Sequence, residues 1–273
     1  MAPDDWFAKA VYDSILECPS LVKVTVCGYE INLSRKLARL AAKTALDAIS
    51  LGIGEQECFR QQTLYEDRRF LCKASSFTET NGRLCFFEPS INVHPLIPPR
   101  RVKQALSDLS SILPAFGKVI DGLVNTTAHK HPKLASRWAT ALDWFGEGSR
   151  ESSDAIALAK LAISLDVLCG GGEVEGITEM LSNLTGIKAD SQVITGIHPQ
   201  TLKKLVENIY NDGRSKIVHG NHHDRLESFA NERRLAASFA RWALIESAIR
   251  LQNHTGEDGD KTFQTIPAQP PMA

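Results

Sequence analysis

Apolar positions follow two regimes along the chain, and the change comes at a run of prolines. Residues 4–17 carry Trp6, Ala10, Ile15 and Leu16 at helical spacing, which predicts an amphipathic helix. LVKVTVCGYEINL, residues 21–33, alternates apolar and polar around Cys27-Gly28 and reads as a hairpin. Ser34 then caps a helix whose apolar positions Leu37, Leu40, Ala41, Ala45, Ala48 and Ile49 recur at helical spacing until Gly52 stops it. A second hairpin is expected over residues 69–88, because Asn81-Gly82 suits a type I′ turn between RRFLCKASSF and RLCFFE. Pro89, Pro95, Pro98 and Pro99 close this mixed stretch, since proline cannot donate to a ladder and restricts its predecessor. Residues 1–99 are therefore expected to form an α+β N-terminal region.

From Arg100 onward the period is helical. One helix is expected over 100–124, with Pro114 as a point of kinking, and HKHPK at 129–133 marks a turn in which His129 and His131 are exposed. Residues 133–148 place Leu134, Trp138, Ala141, Leu142 and Phe145 on one stripe. Ser152 or Ser153 can cap SSDAIALAKLAISLDVL, whose near-continuous apolarity makes it the central helix of a bundle and which Gly170, Gly171 and Gly172 terminate. Further helices are expected over 173–185, from Gln200 to Tyr210, and over 225–252, the last carrying Leu226, Phe229, Leu235, Phe239, Trp242, Ile245 and Ile249. The polar, Gly- and Pro-containing residues 253–273 read as a disordered tail. The fold class is mainly α: a helical region at 100–252 with its bundle core at 132–252, preceded by a mixed region with two hairpins.

Composition narrows the chemistry. A chain of 273 residues with 43% apolar content has a core of its own. Lys plus Arg total 31 against 32 for Asp plus Glu, so no global positive field draws nucleic acid, and any RNA or DNA site has to be local. The six cysteines form no CxxC pair and no finger-like spacing, which argues against a zinc module or a secreted disulfide frame and for a reducing cytoplasm. The N-terminus MAPDDWFAKA lacks signal-peptide character, and no stretch approaches the roughly 18 apolar residues of a membrane span.

One short stretch carries candidate chemistry. In IYNDGRSKIVHGNHH, residues 209–223, Gly213 and Gly220 isolate RSKIVH, where Ile217 and Val218 can anchor the turn while Arg214 and His219 stay polar. Positions five apart lie about 140° round an ideal α-helix, so the pair needs a long arginine or an irregular turn to share a cleft. The triple glycine at 170–172 lacks the Gly-Lys-Ser/Thr ending of a phosphate loop and follows a helix, so it reads as a helix stop. His219, His222, His223 and Asp224 have no cysteine or second carboxylate nearby, so no metal site is expected there, and no cofactor is required.

WFGEGSR before a capped apolar helix ending in SLDVL, then DGRSKIVHG about 45 residues later and a final long helix, resembles the HEPN superfamily and within it the ApeA-like group. The resemblance covers roughly residues 132–252 and rests on order and spacing. It implies a helical bundle that dimerises, with Arg-x4-6-His pairs from two subunits forming one composite, metal-independent endoribonuclease site. Arg214 and His219 match the two motif positions, and Asp166 sits where an acid is often found on the preceding core helix. Ser215 stands where many active members have Asn, Asp or His, and Asn221 stands where a tyrosine marks the modification-regulated variant.

The chemistry fits those residue types. RNA carries its own nucleophile in the 2′-hydroxyl, so the protein need only move protons and stabilise charge on phosphorus. Histidine transfers protons near neutral pH, and arginine offers a planar fork of donors to phosphate oxygens. A two-fold dimer supplies two of each across its axis, enough for a base and an acid. Asp166 can fix the guanidinium by a bidentate pair, and Lys216, Asn221, His222 and His223 can hold the RNA backbone. RNA cleavage is the expected function, its place in phage defence or toxin-like growth arrest is what the resemblance alone implies, and a regulatory ligand or protein is expected at the N-terminal region. Two other readings stay open: a non-catalytic HEPN-like module that binds RNA, a nucleotide or a partner protein, and a helical scaffold in which 209–223 only connects.

Overall fold

The computed structural model describes residues 22–64, 67, 73–74, 77–86, 90–91, 98–196, 199–219 and 227–268. The helix expected over 4–17 lies outside them, as do Asn221, His222, His223 and Asp224.

Helix α1 (Ile31–Ile53) begins earlier than Ser34, because the Glu30 carboxylate accepts from the Asn32 and Leu33 N–H groups at 3.1 and 2.9 Å. That cap draws Ile31, Asn32 and Leu33 into the helix, and residues 22–30 form no strand, so the first expected hairpin is absent among the described residues. The helix also runs through Gly52, where a Cβ would come within 2.7 Å of Leu109 Cδ1, and stops at Gly54 with φ 79°. Helix α2 (Gln56–Gln61) follows. Strands β1 (Lys73–Ala74), β2 (Phe77–Thr80), β3 (Arg83–Phe86) and β4 (Ser90–Ile91) pair antiparallel as β1 with β4 and β2 with β3. Asn81 and Gly82 turn between β2 and β3 with φ 54° and 75°, the two positive values that a type I′ turn demands.

Helices α3 (Pro99–Asp108) and α4 (Leu113–Val124) replace the single expected helix. Pro114 lies in the first turn of α4, where a missing N–H leaves no bond broken. Then come α5 (Pro132–Arg150), α6 (Asp154–Cys169), α7 (Glu173–Thr185), the short pair β5 (Gln192–Ile194) and β6 (Gln200–Thr201), and α8 (Leu202–Glu207). Helix α6 is apolar on every side and lies at the centre, with Leu158, Leu161, Leu165 and Leu168 each at most 1% exposed. Ser153 Oγ caps it, and Gly170, Gly171 and Gly172 end it with positive φ. The expected stripe on α5 is buried against it, and the Trp138 indole N–H donates to the Leu244 carbonyl at 2.7 Å. The long helix α10 (Ala230–Gln252) packs through Ala236, Ala240, Ala243 and Ala248, small side chains that let helices approach closely. Trp242, placed on its apolar stripe by sequence, is 45% exposed.

Three expectations change. Ala48, Leu51 and Phe59 of α1 and α2 belong to the same core as α4–α7 and α10, so the prolines ending at Pro99 do not separate two cores. Residues 253–268 are folded onto the bundle: α11 (Thr262–Thr265) buries Phe263, Ile266 follows it into the core, and the Asp258 carboxylate accepts from Lys133 and Leu134 N–H at the start of α5. The same segment covers the HKHPK turn, where His131 is 3% and His129 8% exposed and His131 Nε2 meets the Gly256 carbonyl at 3.0 Å. Two buried apolar side chains in a polar tail, Phe263 and Ile266, leave too little periodicity to betray this packing. The architecture is mainly α, and no single helix among the described residues is long and apolar enough to cross a membrane.

Candidate active site around Arg214

Beyond α8 the chain leaves α geometry. Thr201 caps Leu202–Glu207, and residues Asn208–Ser215 then form π-helical turns before the short helix α9 (Lys216–Val218). The Lys216 N–H reaches back five residues to the Asn211 carbonyl. Such widened turns are rare and recur at functional sites. Gly213 presses this one onto the middle of α6, since a Cβ there would lie 2.6 Å from Leu158 Cγ. The turn thus hangs the next residue, Arg214, beside the C-terminal half of α6.

Three side chains meet there. Arg214 Nη1 donates to the Tyr210 hydroxyl at 2.7 Å, and the guanidinium lies over the Tyr210 ring at 4.9 Å. Arg214 Nη2 stands 3.9 Å from Asp166 Oδ2, an ion pair too long for a hydrogen bond. Asp166 Oδ1 is buried with no hydrogen-bond partner among the described residues. Burial pushes the Asp166 carboxyl above its ordinary value, and the Arg214 charge opposes that rise without cancelling it, as the long separation requires. The Glu173 carboxylate adds to the rise and the Glu173 backbone N–H works against it. Burial, then Asp166, raises the Tyr210 hydroxyl above its ordinary value, with the Arg214 charge opposing. Glu173 itself has φ 55°, a left-handed backbone in a residue other than glycine, placed directly after the glycine turn. The Arg214 side chain remains 33% exposed, so part of the guanidinium is accessible to solvent.

The other expected residues are less gathered. His219 ends α9 with its N–H on the Ser215 carbonyl at 3.1 Å and its ring exposed; among the described residues, Tyr210 and Asp166 contact the guanidinium and His219 does not. Ser215 is half-buried and Lys216 exposed. Val218, expected to anchor the turn, is 57% exposed, while Ile217 is half-buried. Tyr210 escaped the sequence reading. Its signal was the i, i+4 spacing to Arg214, which puts two side chains on one helix face. Among the described residues no three His, Cys, Asp or Glu side chains converge as a metal site.

Protein-family models, curated proteins and solved structures were compared with the chain, and none matches.

Proposed function

We propose that the protein is a metal-independent endoribonuclease of HEPN type, with Arg214 stabilising the transferring phosphoryl group and His219 moving protons. The observation that carries this reading is the arginine on its π-helical turn, held by Tyr210 and Asp166 with part of its donor fork exposed. A guanidinium fixed before substrate arrives loses little freedom when charge grows on the phosphate oxygens, and preorganised donors of this kind supply much of a catalyst's effect. The 2′-hydroxyl attacks phosphorus, the bond to the 5′-oxygen breaks, and one proton passes from the first oxygen to the second. The products are a 2′,3′-cyclic phosphate and a 5′-hydroxyl.

One histidine cannot be base and acid in the same step, so the reading includes a two-fold dimer with a His219 from each copy. The exposed Val218 beside His219, and the exposed Ile156 in the first turn of the neighbouring α6, are apolar groups that a second copy would cover. The decisive experiment incubates single-stranded RNA with the protein in EDTA. Cleavage to 2′,3′-cyclic ends is expected, with Arg214→Ala and His219→Ala each slowing it by about 10²- to 10⁴-fold. Dependence on Mg²⁺, or a double variant as fast as the wild type, would sink the proposal.

A second reading draws on the exposed His219 ring, which lies outside the Arg214 contacts. In that case Arg214 grips a phosphate of RNA or a nucleotide, or an acidic partner, with no reaction following. Binding abolished by Arg214→Ala but untouched by His219→Ala, with no cleavage, would favour it.

A further inference from the structure

A cavity of about 360 Å³ opens between the N-terminal half of α10, the C-terminal end of α5, the start of α6 and the helices before Pro98. Its volume is within the range of small-ligand sites. Phe59, Phe145 and Leu161 form the apolar side, and Arg233, Arg234 and Arg241 come from α10. Asp154 is the one carboxylate among the lining residues, and Arg233 already holds it at 2.8 Å while donating to the Glu151 carbonyl at the same distance.

Among the described residues the other two cations have no carboxylate partner. Arg241 donates to the Leu51 and Gly52 carbonyls, both at 2.8 Å, which satisfies the last turn of α1 and offers the partial negative charge of a helix end but no full counter-charge. Burial alone pushes its guanidinium downward, with no carboxylate opposing. Arg234 is exposed and lies two helical turns before Arg241 on the same face of α10. A half-buried guanidinium without a counter-charge is costly, and an anion seated beside it offsets the cost.

We infer that this cavity binds an organic phosphate, its dianionic head between Arg234 and Arg241 and its apolar body against Phe59, Phe145 and Leu161. Two planar forks suit a phosphate's several oxygens, and two guanidiniums without a carboxylate partner among the described residues match a dianion. The site is separate from Arg214. Asp154 and Asp166 are 12 residues apart on α6, which places the two sites roughly 18 Å apart along it. A bound phosphate would also tie α2 to the bundle helices, since Phe59 faces the cavity from α2.

The test is calorimetric titration of the full chain with phenyl phosphate, alongside phenol and inorganic phosphate. Phenyl phosphate is expected to bind with Kd below about 1 mM, and each half-ligand at least ~10-fold more weakly, because each reaches only one part of the site. Arg234→Glu reverses a charge at an exposed position, and Ala237→Leu fills the cavity from its wall; each is expected to weaken phenyl phosphate at least ~10-fold. Absence of binding at roughly 10 mM, equal binding of either half-ligand, or binding that survives either substitution overturns the inference. Where Ala237→Leu loses the native circular dichroism, Arg234→Glu alone decides.

Discussion

Tyr210 stands one helical turn before Arg214 and meets it twice, its hydroxyl accepting from Nη1 at 2.7 Å and its ring lying 4.9 Å beneath the guanidinium. Those contacts fix both the position and the plane of a long, flexible side chain. Asp166 adds charge 3.9 Å from Nη2, at a distance that orients without locking. Arg214 therefore has its conformational entropy removed by the fold rather than by its ligand.

Tyr210→Phe keeps the ring and removes the acceptor. Cleavage of RNA is expected to fall about 10-fold, the equivalent of one hydrogen bond to a charged group, with the melting temperature nearly unchanged. Loss as deep as that of Arg214→Ala would make the hydroxyl a participant in the chemistry instead. Single-turnover rates with the two variants side by side separate these outcomes.

Asp166→Asn separates stability from activity. The Asp166 carboxyl is raised in the folded protein, so the native state binds its proton more tightly than the unfolded chain does. Its stabilising contribution is present below the unfolded value near 4 and is lost as pH rises through the folded one. The asparagine variant is accordingly expected to melt at or above the wild-type temperature at pH 7, with the difference closing below about pH 4. Its cleavage rate should nonetheless drop, since Arg214 loses its ionic neighbour. A variant several degrees less stable at pH 7 would contradict this.

Gly213→Ala probes the seat of the turn. The new methyl would meet Leu158 Cγ at 2.6 Å, inside contact distance. Overpacking of this kind costs about 1–3 kcal/mol, and the added Leu158→Val should recover part of it. Chemical denaturation of both single variants and the double gives the coupling. Strict additivity would show that the turn does not press on α6.

Truncation after residue 253 is expected to destabilise the protein strongly, because it uncovers the groove holding Phe263 and Ile266 and removes the Asp258 carboxylate from two N–H groups of α5. Phe263→Ala alone should cost about 3–5 kcal/mol and Asp258→Ala about 1 kcal/mol in urea denaturation. A truncated chain with the wild-type midpoint would place this segment outside the cooperative unit.

The helical bundle was legible in the sequence because its signals are dense. The stripe from Leu134 to Phe145, the unbroken apolarity of α6 and the glycines at 170–172 each span several turns or act through backbone conformation alone. Asn81-Gly82 was readable for the same local reason. What failed depended on competition between neighbouring caps or on partners distant in sequence. Glu30 outcompeted Ser34 as a cap, and the tail's few apolar residues gain their meaning from a groove between α6, α7 and α10. At the site, the family resemblance singled out Arg214, His219 and Asp166 as candidates, but the π-helical widening arises where Gly213 meets Leu158, a contact no local pattern encodes.

The return of residues 254–266 to the start of α5 and the end of α6 sets an order of events during synthesis. The Gln264 amide donates to the carbonyls of Cys169 and Gly171, within the glycine turn that presents Glu173 to Asp166. A nascent chain that has reached only α10 holds Arg214 and His219 but lacks this support, so the arginine's surroundings are completed after translation has passed residue 266. For a protein proposed to cut RNA, the ribosome would carry an unfinished cutter until that segment emerges.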